Sequence, residues 1–181
     1  MPKHHRPRRA ASGNTYRFFV PPTAINGDDV VIEEIALTHQ LAHVLRLGPG
    51  TPVTLLDNSG WEYKVTLREI TRHAITGSVQ ERSLAPGEPT LNLVLYVALL
   101  KSERFEWVLQ KGTELGVSAF MPVVSERSVI EDAAGIGAAK LERWERIVRE
   151  AAEQSRRARL PKLLPAKPFA AACEHAGRRG E

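Results

Sequence analysis

Residues 91–99 read LNLVLYVAL, an apolar run broken by one asparagine. A strand with one wet face alternates. A run like this belongs to a strand covered on both faces, inside a parallel sheet with helices above and below. Parallel neighbours need helical crossovers, so the chain around this run is held to an α/β order. The sequence that follows supplies the crossovers. Ser102 stands where it can cap a helix over 103–115, with Phe105, Val108, Leu109 and Leu115 as the buried stripe and Gly116 as the stop. Residues 119–124 read as the next strand. A long helix covers 138–157, with Leu141, Trp144, Val148, Ala151 and Ser155 on one side. Its outer face carries Glu142–Arg146 and Glu145–Arg149 pairs at i,i+4 spacing. Leu163-Leu164 reads as a third short strand and 169–175 as a last helix.

Ahead of Ala85-Pro86-Gly87-Glu88-Pro89 the pattern differs. Short strands are expected at 16–20, 30–35, 52–56, 61–70 and 73–82. A helix is expected from Thr38 to Val44, closed by Gly48-Pro49-Gly50. Asp57-Asn58-Ser59-Gly60 is a hairpin turn. After it, Trp61, Tyr63, Val65 and Leu67 alternate with Glu62, Lys64, Thr66 and Arg68, so one face is buried and the other wet. Closely spaced short strands suggest a small barrel. The expected division is a basic disordered arm at 1–13, a barrel at 14–85, a linker at 86–90 and an α/β unit at 91–181.

The net charge of +4 is weak evidence of partners on its own, but the cations cluster. They gather at residues 3–9, at Arg156-Arg157-Ala158-Arg159 and at Arg178-Arg179, and clustered cations release counterions on meeting a phosphate backbone. A solvated tail and a basic helix end account for them equally well. The single cysteine, Cys173, rules out an internal disulfide framework and a thiolate zinc cluster. No apolar run nears the roughly 18 residues of a membrane helix, and the first nine residues lack the apolar stretch of a signal peptide. A cytoplasmic protein without a membrane or metal partner is expected. His39 and His43 stand at i,i+4 without an evident third ligand.

The candidate residues follow from position. Charged groups at the carboxyl end of a buried strand border the usual ligand crevice of an α/β sheet. Glu126, Arg127 and Ser128 stand there, and an arginine there can hold a phosphate or carboxylate through two parallel hydrogen bonds. Arg17 and Arg46 are either solvent-facing or phosphate contacts on the barrel. Lys111 and Glu114 lie opposite the apolar stripe of their helix. Gln154 falls near a buried side, where a purely electrostatic account of the helix end does not explain it.

Taken in order and spacing, YRFFVPP, HVLRLGPGTPVTLLDNSGWEYKVTL, ALLKSERFEWVLQKGTELGV, MPVVSERSV and KLERWERIVREAAEQSRRARLPKL resemble the RsmE-type 16S ribosomal RNA uridine N3-methyltransferases. The likeness covers residues 16–168, and KGTELGV followed by SERSV is its most distinctive part. The resemblance implies a PUA-like RNA-binding barrel followed by an α/β SPOUT domain with a trefoil knot. It implies S-adenosylmethionine as cofactor, a homodimer, 16S ribosomal RNA of the small subunit as partner, and methyl transfer to N3 of one uridine. By the same resemblance Arg17, Arg46, Lys101, Lys111 and Arg159 are RNA-contact candidates, and Glu114, Glu126, Arg127 and Gln154 are catalytic candidates. Such enzymes carry a Gly-Pro-Glu-Gly-Gly-like loop and a later Leu-Gly-x-x-x-Leu-Arg-like segment around the cofactor. Neither occurs in these 181 residues. The SPOUT domain is therefore expected to be incomplete here, with no cofactor-binding residue assigned. The alternative is a non-enzymatic RNA-binding protein that lacks the knot.

Overall fold

The computed structural model describes residues 16–126, 128 and 136–178. The basic arm over 1–13, Arg127 and Arg179, all singled out above, lie outside the described residues.

Strands β1 (Tyr16–Phe19), β2 (Ile25–Asn26), β3 (Asp29–Ile32), β4 (Pro52–Leu56), β5 (Trp61–Ile70) and β6 (Ile75–Leu84) form one sheet in the order β1-β4-β5-β6-β3-β2. Only β1 and β4 run parallel; the other pairs are antiparallel. The alternation along β5 holds. Tyr63, Val65 and Leu67 enter a core with Phe18, Ile32 and Leu55, while Lys64 and Arg68 pair outside with Glu81 and Asp29. Among the described residues β1 and β2 do not pair with each other, so the sheet is a ladder with two free ends.

The first helix begins earlier than its sequence signals suggest. α1 (Ile35–His39) runs into a wide π turn over Gln40–Val44, and the Thr38 hydroxyl bonds back to Ile35 O at 2.9 Å instead of capping. Leu37 and Leu41 both enter the core, and that burial outweighs the cap preference of Thr38. The turn ends at Arg46, which holds a left-handed φ of 52°.

The second sheet is wholly parallel. β7 (Val94–Ala98) lies on one side of β8 (Ala119–Val124), and β9 (Lys162–Leu163) and β10 (Lys167–Pro168) share its other side. α2 (Ser102–Glu114) and α3 (Ala138–Gln154) pack with Phe120 of β8, through Phe105, Leu109, Trp144 and Val148. Met121 and Val123 point the other way, to Ala172 of α4 (Phe169–Gly177). α2 approaches β8 so closely that a Cβ on Gly112 would lie 2.6 Å from the Phe120 ring.

Four expectations shift. Full two-sided burial falls on β8, while β7 is half-buried because it has a bonded neighbour on one side only among the described residues. Leu115 is 84 % exposed, because α2 ends at Glu114 and Gly116 turns the chain with φ 96°. Leu141 is also exposed; it lies ahead of the contact with the sheet, which starts at Trp144. α3 stops at Gln154, three residues short of the expected end. Arg156 takes a left-handed φ of 63°, and the Arg157 N–H reaches back to Ala152 O at 2.9 Å, closing a Schellman turn.

That turn joins the two sheets. Phe19 and Leu56 of the first meet Ala152 and Ala158 of the second half. The Glu88 carboxylate accepts the backbone N–H groups of Ala158 and Arg159 at 2.7 and 3.0 Å and the Arg157 guanidinium at 3.3 Å. Leu160 N donates to the Asn58 side chain at 2.7 Å.

Candidate functional site

In a parallel α/β sheet the helices run back against the strands, so one edge collects the carboxyl ends of the strands and the first turns of the helices. Here that edge carries Lys101 at the cap of α2 and Ser125 and Glu126 after β8. Ser128 stabilises the turn: its hydroxyl accepts Ser125 N–H at 2.9 Å and lies 3.1 Å from the Ser125 hydroxyl. Lys101 and Glu126 are exposed. Beside them an apolar cleft of about 400 Å³ opens between the sheet and α4, walled by Tyr96, Val123, Phe169 and Cys173. Tyr96 and His175 share a 2.7 Å hydrogen bond at its side.

The other predicted residues lie elsewhere. Lys111 and Glu114 occupy the last turn of α2, toward the opposite edge, and are paired with each other at 2.7 Å. Gln154 ends α3, also at that edge. It lines a cleft of about 450 Å³ with Arg17, Gln40, Leu45, Glu153 and Arg156, between the two sheets' units. Arg17 is no free cation here. It bonds Glu62 at 2.9 Å with little exposure, and its Nε and Nη2 are buried without partners. Arg46 is exposed just after Leu45, a wall of that cleft. Arg159 is exposed in a larger cleft of about 780 Å³ with Lys162, Asn58 and Asn92. Its guanidinium lies on the hairpin turn at Gly60, where a Cβ would stand 2.9 Å from Nε. Glu126 and Lys101 thus share one edge, while Lys111, Glu114, Gln154 and Arg159 gather at the other.

Residues 87–179 match the model of the RNA methyltransferase domain. The chain belongs to the RNA methyltransferase family. It is 31 % identical over 149 residues to ribosomal RNA small subunit methyltransferase E of Bacillus subtilis, covering 82 % of this chain and 55 % of the relative. It is 36 % identical over 154 residues to the enzyme of that name from Synechocystis, covering 85 % and 48 %. The chain thus spans about half the length of these curated relatives. Its structure resembles that of ribosomal RNA small subunit methyltransferase E from Neisseria gonorrhoeae bound to S-adenosyl methionine. That likeness has a TM-score of 0.77 and 31 % identity, over 88 % of this chain and 64 % of that one.

Within this methyltransferase-family chain, sequence reasoning did not single out Glu88 or Lys162, and it named Arg156 only as part of a basic cluster. Glu88 sits in a Pro-Gly stretch that reads only as linker, and its partner Arg157 is 69 positions away. The left-handed φ of Arg156 carries no sequence signal, since glycine is the residue that announces such a turn. Among the described residues no three or more His, Cys, Asp or Glu side chains form a metal cluster, and the His39 and His43 rings lie tilted at 44° with centroids 5.0 Å apart.

Glu153, beside Gln154, has its carboxyl pushed up by burial, partly offset by the Phe19 N–H it accepts and by the nearby Arg149 guanidinium. A raised carboxyl pKa means the folded state binds the proton better than the unfolded one. Stability linked to Glu153 is then full below the ordinary carboxyl pKa of 4.5 and is lost as pH rises through the higher folded value. Glu153→Gln keeps an acceptor for Phe19 N–H and removes the ionisation. Urea midpoints measured across that window are expected to fall less steeply with pH in the variant than in the parent; parallel profiles would count against this.

Proposed function

We propose that the chain acts in S-adenosylmethionine-dependent methylation of small-subunit ribosomal RNA, at N3 of a uridine. The observation that carries this reading is the joint likeness of both sheets, at 31 % identity, to a methyltransferase solved with S-adenosyl methionine. The reaction has clear demands. Neutral uridine N3 bears a proton and is a poor nucleophile. That proton must leave, the charge on the base must be stabilised, and N3 must be aimed at the methyl group. When bound, the cofactor supplies an electrophilic methyl on a sulfonium. Glu126 and Lys101, at the carboxyl edge, suit the proton and charge roles. Arg127 belongs to the same proposal by its position in sequence. Arg46, Arg159 and Arg17 suit the RNA backbone, Arg17 only by leaving Glu62. Glu114, Lys111 and Gln154 lie toward the other edge, so they reach the reacting base only across a second copy of the chain. Homodimer formation is part of the proposal, and the exposed Leu91, Leu93, Trp107 and Leu115 fit it.

The described residues do not suit the cofactor itself. The cleft at the carboxyl edge is apolar, with the Ser125 hydroxyl its main polar group. A nucleoside with a zwitterionic tail needs more donors and acceptors than this, so none of these residues is assigned to it. That feature favours a second reading, an RNA-binding protein without catalysis. Incubation with radiolabelled S-adenosylmethionine and undermethylated small subunits separates them. Label recovered as 3-methyluridine is the expected result. Retained RNA binding without label would favour the second reading, and label on another position would overturn the uridine N3 assignment.

A further inference from the structure

Among the described residues, two non-glycine residues outside the hairpin turns take left-handed backbone, and both are arginines. Arg46 follows the π turn of the first sheet's helix, with φ 52°, and Arg156 closes α3, with φ 63°. Bulky side chains are disfavoured in this region, and such strain collects at functional sites. Arg156 lines a cleft of about 450 Å³; Arg46 is not one of its lining residues but directly follows Leu45, which lines it from the other unit. Both arginines are exposed and neither has an ion-pair partner within 4 Å among the described residues.

The rest of the cleft is mixed in charge, with Glu150 and Glu34 near the lining Glu153. The carboxylate of Glu153 is occupied by Phe19 N–H at 3.1 Å, and Arg149 stands beside it, bonded to Phe19 O at 3.1 Å. Gln40 and Gln154 add neutral amide groups, and Arg17 lies behind them, held by Glu62. The groove between α2 and α3 is lined by Glu103, Glu106 and Glu150 against Arg143 and Arg146.

We infer that this cleft is a phosphodiester subsite for RNA, with Arg156 and Arg46 as its two grips, so that each left-handed turn is filled by a cation at some cost to stability. The inference rests on the RNA-binding part of the function proposed above and adds Arg156 to it. Arg156 lies at the joint between the sheets, away from the carboxyl edge that holds Glu126. It therefore holds the RNA backbone instead of the reacting base.

Arg156→Gly distinguishes this from a structural role, because the two roles predict opposite signs. The variant is expected to unfold at higher urea concentration than the parent while binding RNA more weakly. The probe is a fluorescein-labelled stem-loop of small-subunit ribosomal RNA, followed by anisotropy across a salt series. Loss of one phosphate contact lowers the slope of log affinity against log salt by roughly 0.7 to 0.9, and loss of both in Arg46→Gly/Arg156→Gly by about twice that. Arg156→Lys keeps the slope. Arg143→Gln, which removes one charge from the α2–α3 groove, leaves it unchanged. Parent-like affinity and slope in Arg156→Gly would overturn the subsite and leave the proposed function standing, as would a lysine variant that loses as much as the glycine one. A parent chain that does not bind the stem-loop would overturn both.

Discussion

Glu88→Ala lowers the unfolding free energy of the chain by about 3 kcal/mol, the scale for a buried ion pair that loses one partner. The Arg157 side chain is only 5 % exposed, so its charge remains buried when the carboxylate is gone. Its Nη1 still bonds the carbonyls of Thr113 and Val117, but its Nε is already without a partner. The same substitution strips the acceptor from Ala158 N–H and Arg159 N–H. Glu88→Gln retains an acceptor for those amides and loses only the charge, so its loss is smaller. In Glu88→Ala/Arg157→Met the stranded cation disappears as well, and the double variant is more stable than Glu88→Ala alone. Urea unfolding reads all three. A Glu88→Ala loss within about 0.5 kcal/mol would mean that water reaches Arg157 and screens it.

This pair also marks the limit of what sequence pattern carries. Periodicity reports which way a side chain faces, so the wet and dry faces of β5 and the buried side of α3 from Trp144 onward were legible. It does not count a strand's neighbours. Residues 91–99 are the more apolar run, yet β8 is the buried central strand and β7 stands at an edge. Periodicity is equally silent on which end of a sheet a helical residue reaches. Lys111 and Glu114 read as site residues beside Glu126, but α2 carries them back toward the other edge, where they pair with each other. Within Arg156-Arg157-Ala158-Arg159 the helix-end electrostatics explain the three arginines as one group. The left-handed backbone at Arg156 splits them: Arg157 and Ala158 go inside, and Arg156 and Arg159 face two different clefts. Backbone of that kind is set by long-range contacts such as Glu88, which no local pattern encodes.

The second large effect concerns the two large cores, one in the first sheet and one between the parallel sheet and its helices. Trp144 is fully buried, with its ring centroid 4.5 Å from that of Phe105, and it belongs to the core between the parallel sheet and α2 and α3. Trp144→Ala is expected to cost about 3 to 5 kcal/mol, the transfer and cavity loss of a large aromatic. The core of the first sheet contains none of these residues. The joint is a cluster of four buried side chains, hydrogen bonds of Phe19 with Glu153 and Arg149 and of Leu160 with Asn58, and the Glu88 contacts, a small surface beside either core. The loss is therefore expected to stay in the second unit. Native-state hydrogen exchange resolves this by element. Amides of β7, β8 and α3 lose protection in the variant, while those of β4, β5 and β6 keep theirs. Equal loss in β4, β5 and β6 would mean that the joint couples the two cores into one cooperative unit. The clefts on either side of α3's end would then open and close with the whole fold.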